Sequence, residues 1–291
     1  MDCFLLSDDP ELYLKHDVLG YTNIQELGIG RYATVFEARH KVSGERVAMK
    51  AISKDIVAGA NPKFIIREKQ AFEMMKKHTE THPIKNVVKF FDYTENEEYA
   101  FFIMEYIDGY TLQRVIYESR ESKNPIPFTD SELKTISINI IEAVRYIHSV
   151  GVYHGDLKPE NIVVIGTDIK LVDFGCAETT NDKYLRAKDT LFRGTPGFSP
   201  PEASKPMPEG TMVLCEHLDL WGLGCCIYYI YSGIVPFVTD SIAVTWQNVY
   251  DVKVDYELVP QNIANILSGI FRKNPNERLS VEEVYSLFLA L

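Results

Sequence analysis

Apolar and polar residues alternate through the first third of the chain in the period-two manner of half-buried strands. The pattern predicts strands over residues 21–53: one before a glycine-bearing turn at 28–30, a second at 34–39, and a third at 46–52 after the Ser43-Gly44 turn. Ile66, Phe72 and Met75 then recur at helical spacing, and residues 87–93 and 99–104 read as two more strands, so this part is expected to be a small antiparallel sheet carrying one helix. Beyond 105–109 the period lengthens. Thr129 and Glu132 form a capping box that opens a helix running to about His148, and Ser280 and Glu283 repeat the signature near the end. Between them lie a loop-rich stretch, 152–202, and an apolar helix candidate at 218–231. The polar run 118–127 reads as a surface loop. No internal repeat or low-complexity tract interrupts the chain.

Composition narrows the classes. The chain has 291 residues, enough for one two-lobed unit or two small cores, with 46% hydrophobic and 24% charged residues, ordinary for a folded protein. Lys and Arg total 30 against 41 Asp and Glu, a net charge of −11 that would repel a phosphate backbone and favours basic partners over nucleic acid. Cys3, Cys176, Cys215, Cys225 and Cys226 have no metal-type spacing, and the adjacent pair suits neither a zinc site nor a routine bridge. A reducing, intracellular setting, cytoplasmic or nuclear, is expected. The first 17 residues lack a basic n-region, and the longest apolar stretch, 221–237, is short and broken by glycines and a proline, so neither secretion nor a membrane span is expected.

Three groups of residues carry candidate chemistry. In Leu27-Gly28-Ile29-Gly30-Arg31-Tyr32-Ala33-Thr34-Val35 small residues sit where backbone N–H groups could approach phosphates, although taken alone the segment is better read as a tight hairpin. In Val47-Ala48-Met49-Lys50 the alternation puts Ala48 and Lys50 on one face, an apolar contact beside an ammonium that needs an anionic partner. Glu68 is the candidate for that partner, with Glu73 as the alternative. The third group is His154-Gly155-Asp156-Leu157-Lys158-Pro159-Glu160-Asn161, followed by Asp173-Phe174-Gly175 and by Gly194-Thr195-Pro196 to Pro201-Glu202.

These segments, in this order, closely resemble the catalytic domain of eukaryotic protein kinases, over roughly residues 21–291. The resemblance implies an α+β, bilobal fold: an extension at 1–20, a small antiparallel sheet lobe at 21–104, a hinge at 105–109 and a larger, mainly helical lobe at 110–291. It implies transfer of the γ-phosphate of ATP to protein hydroxyls, with Mg²⁺, or Mn²⁺ in its place, held by Asn161 and Asp173. Lys50, held by Glu68, would grip the α- and β-phosphates. Asp156 would accept the substrate proton, and Lys158 would offset charge on the γ-phosphoryl group. Leu27, Gly28, Gly30, Val35, Ala48, Met104, Glu105, Ile107, Glu160 and Val163 would line the nucleotide site, with Met104 as gatekeeper. His154, Phe174, Phe72 and Phe90 would stack as an apolar column, Asp219 to Gly222 would open the central buried helix, and Arg278 would pair Glu202. Asp-Leu-Lys-Pro-Glu-Asn and Thr195 resemble the serine/threonine class. The implied partner is a protein substrate, including basic peptide segments, met by a monomer.

The chain departs from the family in three places. Gly155 replaces the arginine that clamps a phosphate on the activation loop, so activity is expected not to require phosphorylation of Thr179, Thr180 or Thr190, although Arg186, Lys188 and Arg193 offer other partners. Ala33 replaces the third loop glycine, and Thr111 stands where basophilic kinases carry a ribose-side glutamate, leaving Glu160 as the acidic contact. The rivals are a kinase-shaped scaffold without catalysis and a small-molecule kinase on the same fold.

Overall fold

The computed structural model describes residues 17–18, 20–30, 32–60, 63–79, 85–122, 126–180, 184–186, 194–204 and 208–291. Most of the 1–20 extension, Cys3, Arg31, Lys188, Thr190, Arg193 and the side chain of Arg186 lie outside them. The chain divides into two compact units, Met1–Lys69 with Val88–Asp108, and Gln70–Val87 with Gly109–Leu291.

The first unit is built on a six-stranded antiparallel sheet of order β1-β2-β3-β4-β6-β5. Its strands are β1 (Asp17–Val18), β2 (Tyr21–Ile29), β3 (Ala33–His40), β4 (Arg46–Ser53), β5 (Phe90–Glu95) and β6 (Tyr99–Glu105). Alternation decides which face each residue takes. Phe36, Ala38, Val47, Met49, Ala51, Phe101 and Ile103 gather into one buried cluster, while Ala48 and Lys50 take the opposite side of β4. The fifth strand begins at Phe90 rather than at 87, because Val87 is drawn into an isolated parallel bridge with Leu171. The helix expected after β4 is α2 (Phe64–Thr79), and a second, α1 (Lys54–Ala60), precedes it. At seven residues α1 is too short to establish a period that sequence could show.

The second unit is mainly helical: α3 (Leu112–Glu121), α4 (Asp130–Ser149), α5 (Pro201–Ser204), α6 (Cys215–Ser232), α7 (Ile242–Asp251), α8 (Gln261–Ile270) and α9 (Val281–Ala290). Helix α3 takes in the first residues of the polar run expected to be a loop. Thr111 caps its start, and its buried Leu112 and Ile116 give it a face to bury. Both capping boxes form, Thr129 with Glu132 on α4 and Ser280 with Glu283 on α9. Helix α6 is apolar all round and lies at the centre, with α4 and α8 against it, as a helix without a polar face must. It stops at Gly233, whose φ of 72° suits a left-handed cap.

Short strands organise the loop-rich middle. A three-stranded sheet joins β7 (Tyr110–Thr111), β9 (Ile162–Ile165) and β10 (Asp168–Leu171), and two-stranded ladders pair β8 (Val152–Tyr153) with β11 (Glu178–Thr179) and β12 (Tyr184–Arg186) with β13 (Met212–Leu214).

Candidate active site

In the first unit the β2–β3 hairpin carries the glycine segment. Gly28 stands opposite Val35, and Gly30 N–H closes the turn on the Ala33 carbonyl at 2.7 Å. A side chain at Gly28 would meet nothing within 4 Å, so the hairpin leaves open space where the sequence calls for close approach by a ligand. Val35 pairs with Lys50, and Ala48 with buried Met104 of β6. Leu27 is exposed on the hairpin. Glu105 accepts the Lys89 N–H at 2.7 Å through its carboxylate and donates its own N–H to the Lys89 carbonyl at 2.9 Å, and half-buried Ile107 follows outside the strand.

The lysine partner is Glu68, not Glu73. Lys50 Nζ donates to both carboxylate oxygens, at 2.7 and 2.9 Å, and the side chains are 8% and 0% exposed. Glu73 is exposed on the same helix. Five positions after Glu68 it projects about 140° around the axis, which carries it off the sheet-facing side.

In the second unit Asp156, Lys158 and Thr195 form a closed triangle. The Thr195 hydroxyl donates to Asp156 Oδ1 at 2.7 Å and accepts from Lys158 Nζ at 2.8 Å, while Lys158 Nζ also lies 2.8 Å from Asp156 Oδ2. Burial alone would depress the Lys158 pKa, but the Asp156 carboxylate beside it outweighs that, with smaller help from Glu160 and Asp173, and holds the ammonium above the ordinary lysine value.

The backbone beneath the triangle is fastened from several sides. Asp219 of α6 accepts the N–H of His154 through Oδ2 and that of Gly155 through Oδ1, both at 2.7 Å, and also accepts from His148 Nε2 at 2.8 Å. Complete burial would raise the Asp219 pKa; the His148 bond and charge, with the Gly155 N–H, reverse this and hold it below the usual aspartate value. Asp219 therefore anchors the loop, a role beyond the expected one of opening the central buried helix. The available signal was an acid at the second position of the apolar stretch 218–231, which needs partners when buried. His148 offered no comparable signal.

Gly155 has φ of 76°, and a Cβ there would strike the Cys176 carbonyl oxygen. The residue type fits a backbone that ordinary side chains resist. His154 is fully buried; its Nε2 donates to the Val172 carbonyl at 3.0 Å and its Nδ1 accepts from Asp156 N–H at 3.3 Å, which sets the tautomer. Its ring lies 5.0 Å from that of Phe174, which in turn lies 5.4 Å from Phe72. Three of the four column residues thus stack in the second unit, while Phe90 packs against Phe102 in the first.

Asn161 and Asp173 are positioned by backbone geometry. Asn161 Nδ2 donates to the Asp156 carbonyl at 2.9 Å, which occupies the amide nitrogen and turns the carbonyl oxygen elsewhere. Asp173 is exposed with φ of 64°, and its Oδ1 accepts from Gly175 N–H at 3.3 Å. Among the described residues no cluster of three or more His, Cys, Asp or Glu could cage a metal. Two oxygen donors suit a hard divalent cation that keeps waters and takes its other ligands from phosphates. Val163 is half-buried in β9, paired with Thr111 and Lys170.

Glu160 is turned inward. Its Oε1 accepts from Gln113 Nε2 at 3.1 Å, and its Oε2 is buried with no hydrogen-bond partner among the described residues. Burial raises its pKa, offset in part by a bond to its own backbone and by Lys158. Nothing in the sequence pointed to Gln113. At the far end of the unit Arg278 grips Glu202 through two bonds of 2.7 Å, the expected buried fork.

Comparison with known proteins agrees with this geometry. Residues 21–287 match the protein kinase domain family. The chain is 28% identical over 263 residues to serine/threonine-protein kinase PLK4 of Drosophila virilis, covering 89% of this chain and 31% of that one. It is 30% identical over 264 residues to serine/threonine-protein kinase TIO of Arabidopsis thaliana, covering 89% and 18%. Against the maternal embryonic leucine zipper kinase of Xenopus tropicalis it is 29% identical over 286 residues, covering 96% and 40%. The chain thus spans less than two thirds of the length of these relatives. With the motif segments in order and the match running through both units, the chain belongs to the protein kinase domain family.

Proposed function

We propose that the chain is an ATP-dependent protein serine/threonine kinase that moves the γ-phosphoryl group of MgATP onto hydroxyls of protein substrates. The observation that carries this is the Asp156–Thr195–Lys158 triangle, which holds a proton acceptor beside a cation. Phosphoryl transfer has a loose transition state, so the protein contributes position and charge more than bond-making. Asp156 takes up the substrate hydroxyl's proton and aims its oxygen in line. Lys158 stays protonated and balances charge on the moving group. Asn161 and Asp173 would hold the divalent ion, Mg²⁺ by the hardness of their oxygens, and Lys50, fixed by Glu68, would receive the inner phosphates. When bound, the metal neutralises phosphate charge.

Thr195 and Lys158 support the serine/threonine class, and the net charge of −11 supports basic protein segments as substrates. Gly155 supports activity without phosphorylation of Thr179, Thr180 or Thr190, since no arginine stands there to receive a phosphate. Among the described residues no helix is long and apolar enough to cross a membrane. A peptide-library assay with labelled MgATP tests the reading. The wild-type chain should label serine and threonine peptides, and Asp156→Asn should lose about 10³-fold in kcat while keeping nucleotide binding. Equal labelling by both proteins would sink it.

A further inference from the structure

Residues 173–202, from Asp-Phe-Gly to Pro-Glu, form the activation segment of the proposed kinase, and its described parts are held by main-chain pairing. Near its start β11 pairs with β8, Glu178 opposite Tyr153 and Thr179 opposite Val152. Farther along β12 pairs antiparallel with β13, Tyr184 opposite Leu214, Leu185 opposite Val213 and Arg186 opposite Met212. Near its end the Thr195 hydroxyl ties the segment to Asp156 and Lys158.

The second ladder has a stiff foundation. Strand β13 runs without a break into α6, which opens on fully buried Cys215. Val213 is 3% exposed while Met212 beside it is 52% exposed, so a slip of one residue would bring Val213 into water. Register is therefore specified by β13. A ladder of three residue pairs is weak by itself, so it stays formed only while its foundation and the segment agree.

We propose that the β12–β13 ladder is a clasp that seats the activation segment in the transfer-competent arrangement without phosphate, with Val213 as its positioning residue. The main-chain pairing does the work that an arginine–phosphate contact would do at Gly155. The clasp rests on the kinase reading, and opening it is a route by which activity can be lowered without touching a residue of the transfer chemistry.

Hydrogen exchange on the unphosphorylated chain should show those amides within 184–186 and 212–214 that point across the ladder, at alternate residues of each strand, protected by at least about tenfold over open chain; exchange with none of them protected overturns the clasp. Residues directly opposite in such a ladder lie about 4.5–5.5 Å apart at Cα, within disulfide range. Arg186→Cys combined with Met212→Cys, which leaves Val213 in place, should once oxidised transfer phosphate within about twofold of its reduced form; a tenfold or larger loss specific to the oxidised double variant overturns the clasp. Met212→Pro, at an exposed position, should lower kcat by about tenfold with nucleotide affinity unchanged and Met212→Ala near wild type; full activity in Met212→Pro also overturns it. If the wild-type chain transfers no phosphate to any protein while the amides remain protected, the kinase reading fails and the ladder stands.

Discussion

Two lysine–carboxylate arrangements in this protein look alike on paper and differ in kind. Lys50 and Glu68 are sealed in the first unit, 8% and 0% exposed, and each satisfies the other through two hydrogen bonds. Lys158 and Asp156 in the second unit are 20% and 12% exposed, and both share the Thr195 hydroxyl. The sealed pair is a fixture: its charges have been taken out of water, and separation leaves an uncompensated ion. The shared pair keeps access to solvent and a third partner, which suits the proton-acceptor role proposed for Asp156. In the proposed kinase the charge that would set position is buried, and the charge that would serve transfer is left reachable.

The contrast can be broken most severely at the sealed pair. Glu68→Leu removes both carboxylate bonds from the buried Lys50 ammonium and should cost about 3–5 kcal/mol in urea unfolding. Adding Lys50→Met should recover most of that stability while phosphate transfer stays lost. A double variant as unstable as the single one would mean that packing, not charge, holds this site. At the shared pair Thr195→Val should leave stability nearly unchanged and lower kcat by about tenfold, because two bonds to charged groups are lost at a partly wet site. Thr195→Ser, which keeps the hydroxyl, should remain within about threefold of wild type. Equal losses in both variants would remove the hydroxyl from the account.

Smaller effects separate backbone fit from surface charge. Gly155→Ala asks a side chain to accept φ of 76° against the Cys176 carbonyl, and should cost about 1–2 kcal/mol or more, read from the urea midpoint. Least of all should come from Glu132, whose pKa is lowered by the Thr129 N–H and hydroxyl at the start of α4. A depressed carboxylate pKa contributes stability in full above its unfolded value, near 4.5, and loses it as pH falls through the folded value. Glu132→Gln should therefore narrow the gap in stability between neutral and acid solution slightly, with no change in phosphate transfer at neutral pH.

Much of the site could be read from the chain because its parts are local. Alternation in β4 put Ala48 and Lys50 on one face, and the segment around Asp156 carries the candidate proton acceptor, cation and metal ligand within six residues. Capping boxes located α4 and α9, since their hydrogen bonds span three residues. What sequence missed is either short or distant. Helix α1 has too few residues to show a period, and the β12–β13 ladder joins stretches 26 and more residues apart.

The amino-acid order by itself thus determined the strand and helix periods, the family and the residue types of the candidate chemistry, because each depends on spacing along the chain. Tertiary structure alone decided that Glu68 rather than Glu73 meets Lys50, that Glu160 turns inward to Gln113, and that Asp219 holds the backbone at Gly155. Those outcomes depend on which buried polar group finds a partner across 18, 47 and 64 residues of chain. Burial makes an unpartnered charge or N–H costly, and only the folded packing determines which partner is within reach.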